Sequence, residues 1–381
     1  MRTTMLVRLL GLALLLPVLA CTDTRSDDDD AEDDDDDAAD NDDDTADDDD
    51  TAPDDDDSAG DSWAALRSAI DASALEDVTL LIGTAEGTVF SHSRGKSAPD
   101  TVYPLASASK WLSAITLLTL VEDGTLNLDE SFQQHLPWWT EQAGDPRLGI
   151  TLEQLLSFTS GFSGGIDGVP CVEDGSTTLS ACAEVIHDDF HEFAPGTGFY
   201  YGPSHLQVAG AAAAAVTGRR FNRIWRDQVA DSLGLPTAAA YAIPSLENPR
   251  VAGGGTASGQ DYAAVLTALL AGDLLGAEMR TLMATDHTPK GVVFEEAPPL
   301  AGDAVWHYGL GCWRECGSES YGTECDEPGV LSSPGIFGFY PWWDQARGFW
   351  GVLATQTESG AAFTVPLGQQ WAELAAAALD E

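Results

Sequence analysis

Positive charge is what this 381-residue chain has least of: 17 lysines and arginines stand against 63 aspartates and glutamates, a formal net charge of -46. A surface of that sign repels nucleic acid and anionic headgroups, so nucleic acid is not expected as a partner. Only three of the 17 bases are lysines, Lys96, Lys110 and Lys290. Cysteine is also sparse, with six residues, and the set Cys312, Cys316 and Cys325 with His307 fits no zinc-ligand spacing. Gly253-Gly254-Gly255 lacks the leading strand and the following Lys-Ser/Thr of a phosphate loop and reads as a tight turn. No metal and no cofactor are therefore expected. Internal repeats are missing, and beyond residue 20 no apolar run could span a bilayer.

What is present divides into three segments. Residues 1–20 carry Arg2 and Arg8, a leucine-rich core and a small-residue end, the make-up of a secretory signal. Val18-Leu19-Ala20-Cys21 resembles a bacterial lipobox, which implies cleavage before Cys21 and lipidation of that cysteine. The protein is then expected in the cell envelope, anchored to a membrane through Cys21, with Thr22 resembling an outer-membrane sorting context. Residues 21–62 are aspartate runs broken by Ala, Thr and Pro, with 24 acids and no apolar periodicity. Such a stretch is expected to be an extended, self-repelling tether; the spaced ligands and turn glycine of a calcium loop are missing.

Residues 63–381 are long enough for one large domain or a domain with an inserted lobe, and remain acidic, with 39 acids against 14 bases. In an exported protein their cysteines should form disulfides. Cys171 and Cys182 close one loop, two of Cys312, Cys316 and Cys325 another, and the odd one is left as a free or buried thiol. Ser62 can cap a helix to about residue 75, and residues 78–83 and 88–92 read as a hairpin. Helices are expected over 105–124, 152–158 (capped by Thr151), 182–193, 204–217, 221–233, 261–270 and 366–379. Arg220, Arg223 and Arg226 mark a solvated helix face. Strand-like runs cover 305–310, 335–340 and 349–355. Strands at both ends around a helical middle predict an α+β fold, one antiparallel sheet assembled from the two termini and flanked by helices. Trp138, Trp139, Trp342, Trp343 and Trp350 read as core packing before they read as the lining of an acyl pocket.

The stretch 105–124 carries the chemistry. Its apolar residues fall on nearly every face, the pattern of a buried helix, yet Lys110 stands near the start, where desolvation and the helix dipole both penalise an ammonium. Ser107, three residues earlier, lies within reach on the same face. A neutral amine can take a serine proton, which arginine cannot do, so the pair can make a nucleophile.

In order along the chain, Ser107-Ala108-Ser109-Lys110, then residues 155–162, then the run 195–201 ending at Tyr201, then Tyr308-Gly309-Leu310-Gly311 and Ser333-Pro334-Gly335 resemble the motifs of the serine β-lactamase and penicillin-binding-protein superfamily, especially its class C, esterase and D-aminopeptidase branch. The resemblance spans residues 80–354 and implies the β-lactamase/transpeptidase-like fold, acyl transfer by Ser107, proton handling by Lys110 and Tyr201, with the phenol drawn down by the Lys110 cation, and an oxyanion site at the N–H groups of Ser107 and of Ile336, on the strand after Gly335. It implies a small-molecule or cell-wall-type acyl substrate. Two positions depart from the pattern. Pro203 stands where the second motif has Asn, and Ser333-Pro334 stand where the third has a cation and a hydroxyl. The side chains that would hold a β-lactam carboxylate are gone, so an esterase or peptidase-type hydrolase is expected rather than a true β-lactamase, with a catalytically idle binding protein as the alternative.

Overall fold

Residues from opposite ends of the domain pair in a single sheet. The computed structural model describes residues 61–164, 168–288, 292–298, 306–316, 325 and 329–381. The signal segment, Cys21 and nearly all of the acidic stretch lie outside them. Helix α1 (Ala64–Asp71) leads to the hairpin β1 (Val78–Thr84) and β2 (Gly87–Arg94), and then to the short strand β3 (Val102–Pro104). The start of α1 is held by the Asp61 carboxylate, which accepts from the Trp63 N–H at 3.1 Å, rather than by Ser62.

The buried helix expected over 105–124 forms as two pieces: a 3-10 turn, Ala106–Ala108, followed by α2 (Ser109–Glu122). Every residue of α2 from Ser109 to Leu120 is buried, as its lack of a polar face requires. The helical middle comprises α3 (Leu152–Leu156), α4 (Leu179–Asp189), α5 (Ser204–Thr217) and α6 (Phe221–Trp225), interrupted by β4 (Gly198–Tyr200). Thr151 and Gln154 form a reciprocal capping box on α3. The helix expected over 221–233 ends at Trp225 and continues as one wide turn, Arg226–Ala230. Its arginines pair with carboxylates, Arg220 with Glu247, Arg223 with Asp227 and Arg226 with Asp231.

Strands β5 (Ala240–Tyr241) and β6 (Gly255–Ser258) pair with each other, and β6 also pairs with β3, placing the Ser107 turn beside the glycine run. That run therefore enters a strand, and only then α7 (Gly259–Ala271) and α8 (Ala277–Ala284). The remaining strands are β7 (Val293–Glu296), β8 (His307–Tyr308), β9 (Trp313–Glu315), β10 (Val330–Ser332), β11 (Tyr340–Asp344) and β12 (Phe349–Thr355), closed by α9 (Gly360–Leu379).

The main sheet has the order β2-β1-β12-β11-β10-β9-β8, with every pairing antiparallel. It is the expected sheet built from both termini. The strand expected over 335–340 is instead mostly a turn, closed by the Gly338 N–H donating to the Gly335 carbonyl at 2.8 Å. Gly338 has φ +105°, a conformation a strand does not tolerate. Trp342, Trp343 and Trp350 are buried in β11 and β12, so they pack the core, and none of them lines the cleft at Ser107. Among the described residues no helix is long and apolar enough to cross a membrane.

Candidate active site

The serine stands at a forced bend. Ala106 has φ +46°, the left-handed region that costs a residue with a Cβ about 1–3 kcal/mol, and Ser107 follows directly. The start of α2 is pinned from outside the helix. Tyr262 donates its hydroxyl to the Ala108 carbonyl at 2.9 Å, Tyr241 to the Ser109 carbonyl at 2.7 Å, and the Gly255 N–H donates to Ser109 Oγ at 2.9 Å.

Lys110 is the second residue of α2, and its side chain runs back over the preceding turn, as helical side chains do. Its Nζ lies 2.9 Å from Ser107 Oγ and 3.0 Å from the Ala252 carbonyl oxygen. The residue is only 4% exposed. Burial brings the amine pKa down to about 7, so near neutral pH it is neutral much of the time.

Tyr201 follows β4 and packs on Phe158, ring centroids 5.7 Å apart, while Phe158 in turn stacks on the His205 ring at 4.8 Å. His205 Nε2 donates to the Tyr200 carbonyl at 2.8 Å, and its Nδ1 sits 2.8 Å from Ser160 Oγ. Burial lowers the His205 pKa to about 3, so the ring is a neutral spacer. Burial pushes the Tyr201 phenol up to about 12, and its hydrogen-bonding neighbours, Ser107 and Trp313, offset that only in part. Lys110 Nζ lies over the Tyr201 ring, 4.7 Å from its centroid. The neutral amine expected from the sequence is present, but burial overturns the expected lowering of the phenol. The phenol is not drawn down by a lysine cation; it stays protonated, and the amine is the group that loses its charge.

The third-motif positions meet the serine from the other side. Ser333 donates its hydroxyl to the Ser107 carbonyl at 2.9 Å, Pro334 follows, and Gly335 lies so close that a Cβ there would sit 2.3 Å from the Leu105 carbonyl oxygen. Gly335→Ala is therefore expected to push the serine turn out of place and cut kcat/KM by about 100-fold, a loss that about 1 Å of misplacement can cause. Steady-state rates with a short ester check this. Ile336 lies on the turn after Gly335, not on a strand, and is 54% exposed. Among the described residues no acceptor takes the backbone N–H of Ser107 or of Ile336, which leaves two donors at the cleft.

The cleft has a volume of about 140 Å³, room for a small acyl group. Its apolar walls include Pro104, Val172, Pro203, Ile243, Ile336 and Phe337, with Ser107, Lys110 and Tyr201 among the polar groups. Two further lining residues were not legible in the sequence. Arg250 Nη1 is 3.1 Å from both carboxylate oxygens of Glu173. The partners are 77 residues apart and carry no shared motif, so only the fold brings them together. A guanidinium is thus present in the cleft although Ser333-Pro334 supply no cation.

The Cys171–Cys182 disulfide ties the turn that carries Val172 and Glu173 to α4, and Cys316 pairs with Cys325. Cys312 is the odd one, a buried thiol pushed up to about 12 and so unreactive near neutral pH. Among the described residues no group of three or more His, Cys, Asp or Glu side chains could hold a metal.

A sheet closed by both termini, a helical lobe over it, and a serine, a lysine and a tyrosine meeting in the cleft between motifs define the β-lactamase/transpeptidase class of folds. The chain belongs to the β-lactamase family, whose model matches residues 64–376. Its fold is similar to that of a provisionally assigned β-lactamase from Bacteroides dorei DSM 17855, with a TM-score of 0.68 and 24% identity over 82% of this chain and 99% of that one. In sequence it is 27% identical over 132 residues to Protein flp of Staphylococcus aureus (strain MW2), 35% of this chain and 26% of that protein. It is 28% identical over 179 residues to the lovastatin esterase of Penicillium rubens, 42% of this chain and 45% of the esterase. The chain thus matches about a quarter of the length of the curated relative Protein flp and under half of the esterase.

Proposed function

We propose that the domain is a serine hydrolase that cleaves an ester or a peptide-like amide through an acyl-enzyme on Ser107, anchored to the cell envelope through Cys21 and the acidic tether. The observation that carries this reading is the 2.9 Å contact between Ser107 Oγ and an amine whose burial brings its pKa to about 7. Membership of the β-lactamase family and the likeness to an esterase support it.

In the proposed reaction the Ser107 hydroxyl proton passes to the neutral Lys110 amine while Oγ bonds to the substrate carbonyl carbon. The carbonyl electron pair moves to oxygen and is held by the N–H groups of Ser107 and Ile336. Collapse breaks the bond to the leaving group, which takes a proton from the Lys110 ammonium or through the Tyr201 hydroxyl, and the acyl group stays on Oγ. Water then repeats the sequence in the acyl-enzyme, giving its proton to the amine and releasing the acid. The amine is the base, and the phenol, protonated near neutral pH, serves only to relay a proton.

A fluorophosphonate probe tests this. We expect one adduct, located at Ser107 by mass spectrometry, together with turnover of p-nitrophenyl esters and none of nitrocefin. A folded protein that takes no adduct is the catalytically idle binder instead. The pH dependence gives a second check. Below pH 7 Lys110 holds its proton and cannot accept another, so kcat/KM should rise with pH through about 7 and level off above it. A rate that is flat from pH 5 to 9 would argue against Lys110.

A further inference from the structure

We propose that Arg250 determines the specificity of the cleft, and that the substrate's acyl part ends in a carboxylate, which takes the guanidinium over from Glu173. The inference rests on the reading of Ser107 as a nucleophile and names the class of acyl group that it receives.

Arg250 lines the same cleft as Ser107 and Lys110, and its place there is built. Its backbone N–H donates to the Ile243 carbonyl at 2.7 Å, and its own carbonyl accepts from the N–H groups of Gly253 and Gly254 at 3.1 and 2.7 Å. Two residues further on, the Ala252 carbonyl accepts from the Lys110 amine. Gln207, buried on α5, clamps both flanks: its Nε2 donates to the Pro249 carbonyl at 3.1 Å, and its Oε1 accepts from the Val251 N–H at 3.1 Å. The same Nε2 donates to Asn248 Oδ1 at 2.9 Å. Asn248 Nδ2 donates in turn to the carbonyls of Cys171 and Asp174, at 2.7 and 3.0 Å, on either side of Glu173. A chain of two buried amides thus sets the backbone of both partners in the ion pair.

Counting donors gives the sign of the ligand. A guanidinium offers five N–H groups and accepts nothing, whereas a carboxylate only accepts. Glu173 spends both of its oxygens on Nη1. Among the described residues Nη2 has no acceptor, and Nε is buried without one. What this wall lacks is therefore an acceptor, and a planar fork of N–H groups fits a carboxylate through two parallel bonds. The Lys110 amine is neutral much of the time near pH 7, and Ser333-Pro334 bring no cation, so Arg250 carries the positive charge in the cleft. The side chains of Arg250 and Glu173 are 32% and 56% exposed. An ion pair so open to water adds little stability. Glu173 can swing outward and leave the Nη1 and Nη2 end of the fork to the substrate; it is a competitor that occupies the guanidinium while the cleft is empty.

The test uses p-nitrophenyl half-esters of glutaric, adipic and pimelic acid, each against the p-nitrophenyl ester of the straight-chain acid with the same number of carbons, spontaneous hydrolysis subtracted. For at least one length the wild type should favour the anionic member in kcat/KM by about 10- to 100-fold, the range of hydrogen bonds to a charged group. Arg250→Met should bring that ratio to about one or below, since the charge and the fork are both gone. Glu173→Gln should raise it, by up to about fivefold, the worth of an open ion pair. The opposite signs are decisive, because a pair that serves only structure is broken by either exchange and both variants would then move the ratio the same way or not at all. Should Arg250→Met fail to fold, Glu173→Gln decides alone: a ratio that stays level or falls refutes the inference. A wild-type ratio near one at every length overturns it as well. A wild-type chain that neither turns over ester nor labels at Ser107 sinks both readings. A wild type that does both without preference for the anionic acyl group sinks only this one.

Discussion

Exchange of Lys110 for methionine is expected to lower kcat by about 10⁴-fold, the upper end of what a general base contributes, while making the protein more stable. The two effects have one origin. In the unfolded chain the ammonium titrates near 10.5; in the fold, burial brings it to about 7. The folded state therefore binds fewer protons than the unfolded state between pH 7 and 10.5, and stability rises with pH across that window. Below pH 7 the full penalty is present, on the order of 5 kcal/mol at 1.36 kcal/mol per unit. Methionine has a similar shape and no charge to desolvate. We expect Lys110→Met to unfold several degrees higher than the wild type at pH 6, with the gap closing as pH approaches 10, measured by thermal scans across pH. Lys110→Arg should lose as much activity and gain no stability, because a guanidinium stays charged in the same apolar surroundings.

Ser107→Ala is expected to have the largest effect on turnover, a fall in kcat of about 10⁵- to 10⁶-fold, since the atom that carries the acyl group is removed. The fold should tolerate it. Ser107 is 9% exposed and sits in a turn pinned by Tyr262, Tyr241 and Ser333, none of which bonds to its hydroxyl. An unchanged unfolding midpoint with no phosphonate adduct would locate the chemistry at that oxygen. Retained ester turnover in Ser107→Ala would place it elsewhere.

How much of this could be read from the residues alone differs by kind. The buried helix at 105–124, the strand at 349–355 and the helix at 204–217 follow from hydrophobic patterning over long stretches, and they form close to their expected bounds. Where a glycine or a proline decided the boundary, the expectation slipped. The run 335–340 is rich in Ile and Phe and looks like a strand, but Gly335 and Gly338 turn it, and the sheet resumes at Tyr340. Pro366 was expected to open the last helix and instead lies inside it, because the chain becomes helical at Gly360. Within the site, Ser107, Lys110 and Tyr201 were visible through spacing and resemblance, and the structure brings them together. The neutral amine of Lys110 was legible too, from its place in a helix without a polar face, whereas the raised phenol of Tyr201 was not, because it follows from burial that no spacing reports. Arg250 and Glu173 were invisible for a related reason: each acquires its meaning from a neighbour 77 residues away in sequence.

The sheet's strand order has a consequence for how the molecule comes to be. The Thr355 hydroxyl donates to the Asp77 carbonyl at 2.6 Å across a separation of 278 residues, and β1 pairs with β12 alongside it. The opening hairpin can form early on its own, but its inner edge has no permanent neighbour until almost the whole polypeptide has emerged. Closure therefore waits for β12; a chain shortened by its final 30 or so residues would be left with an exposed edge open to promiscuous strand pairing and aggregation.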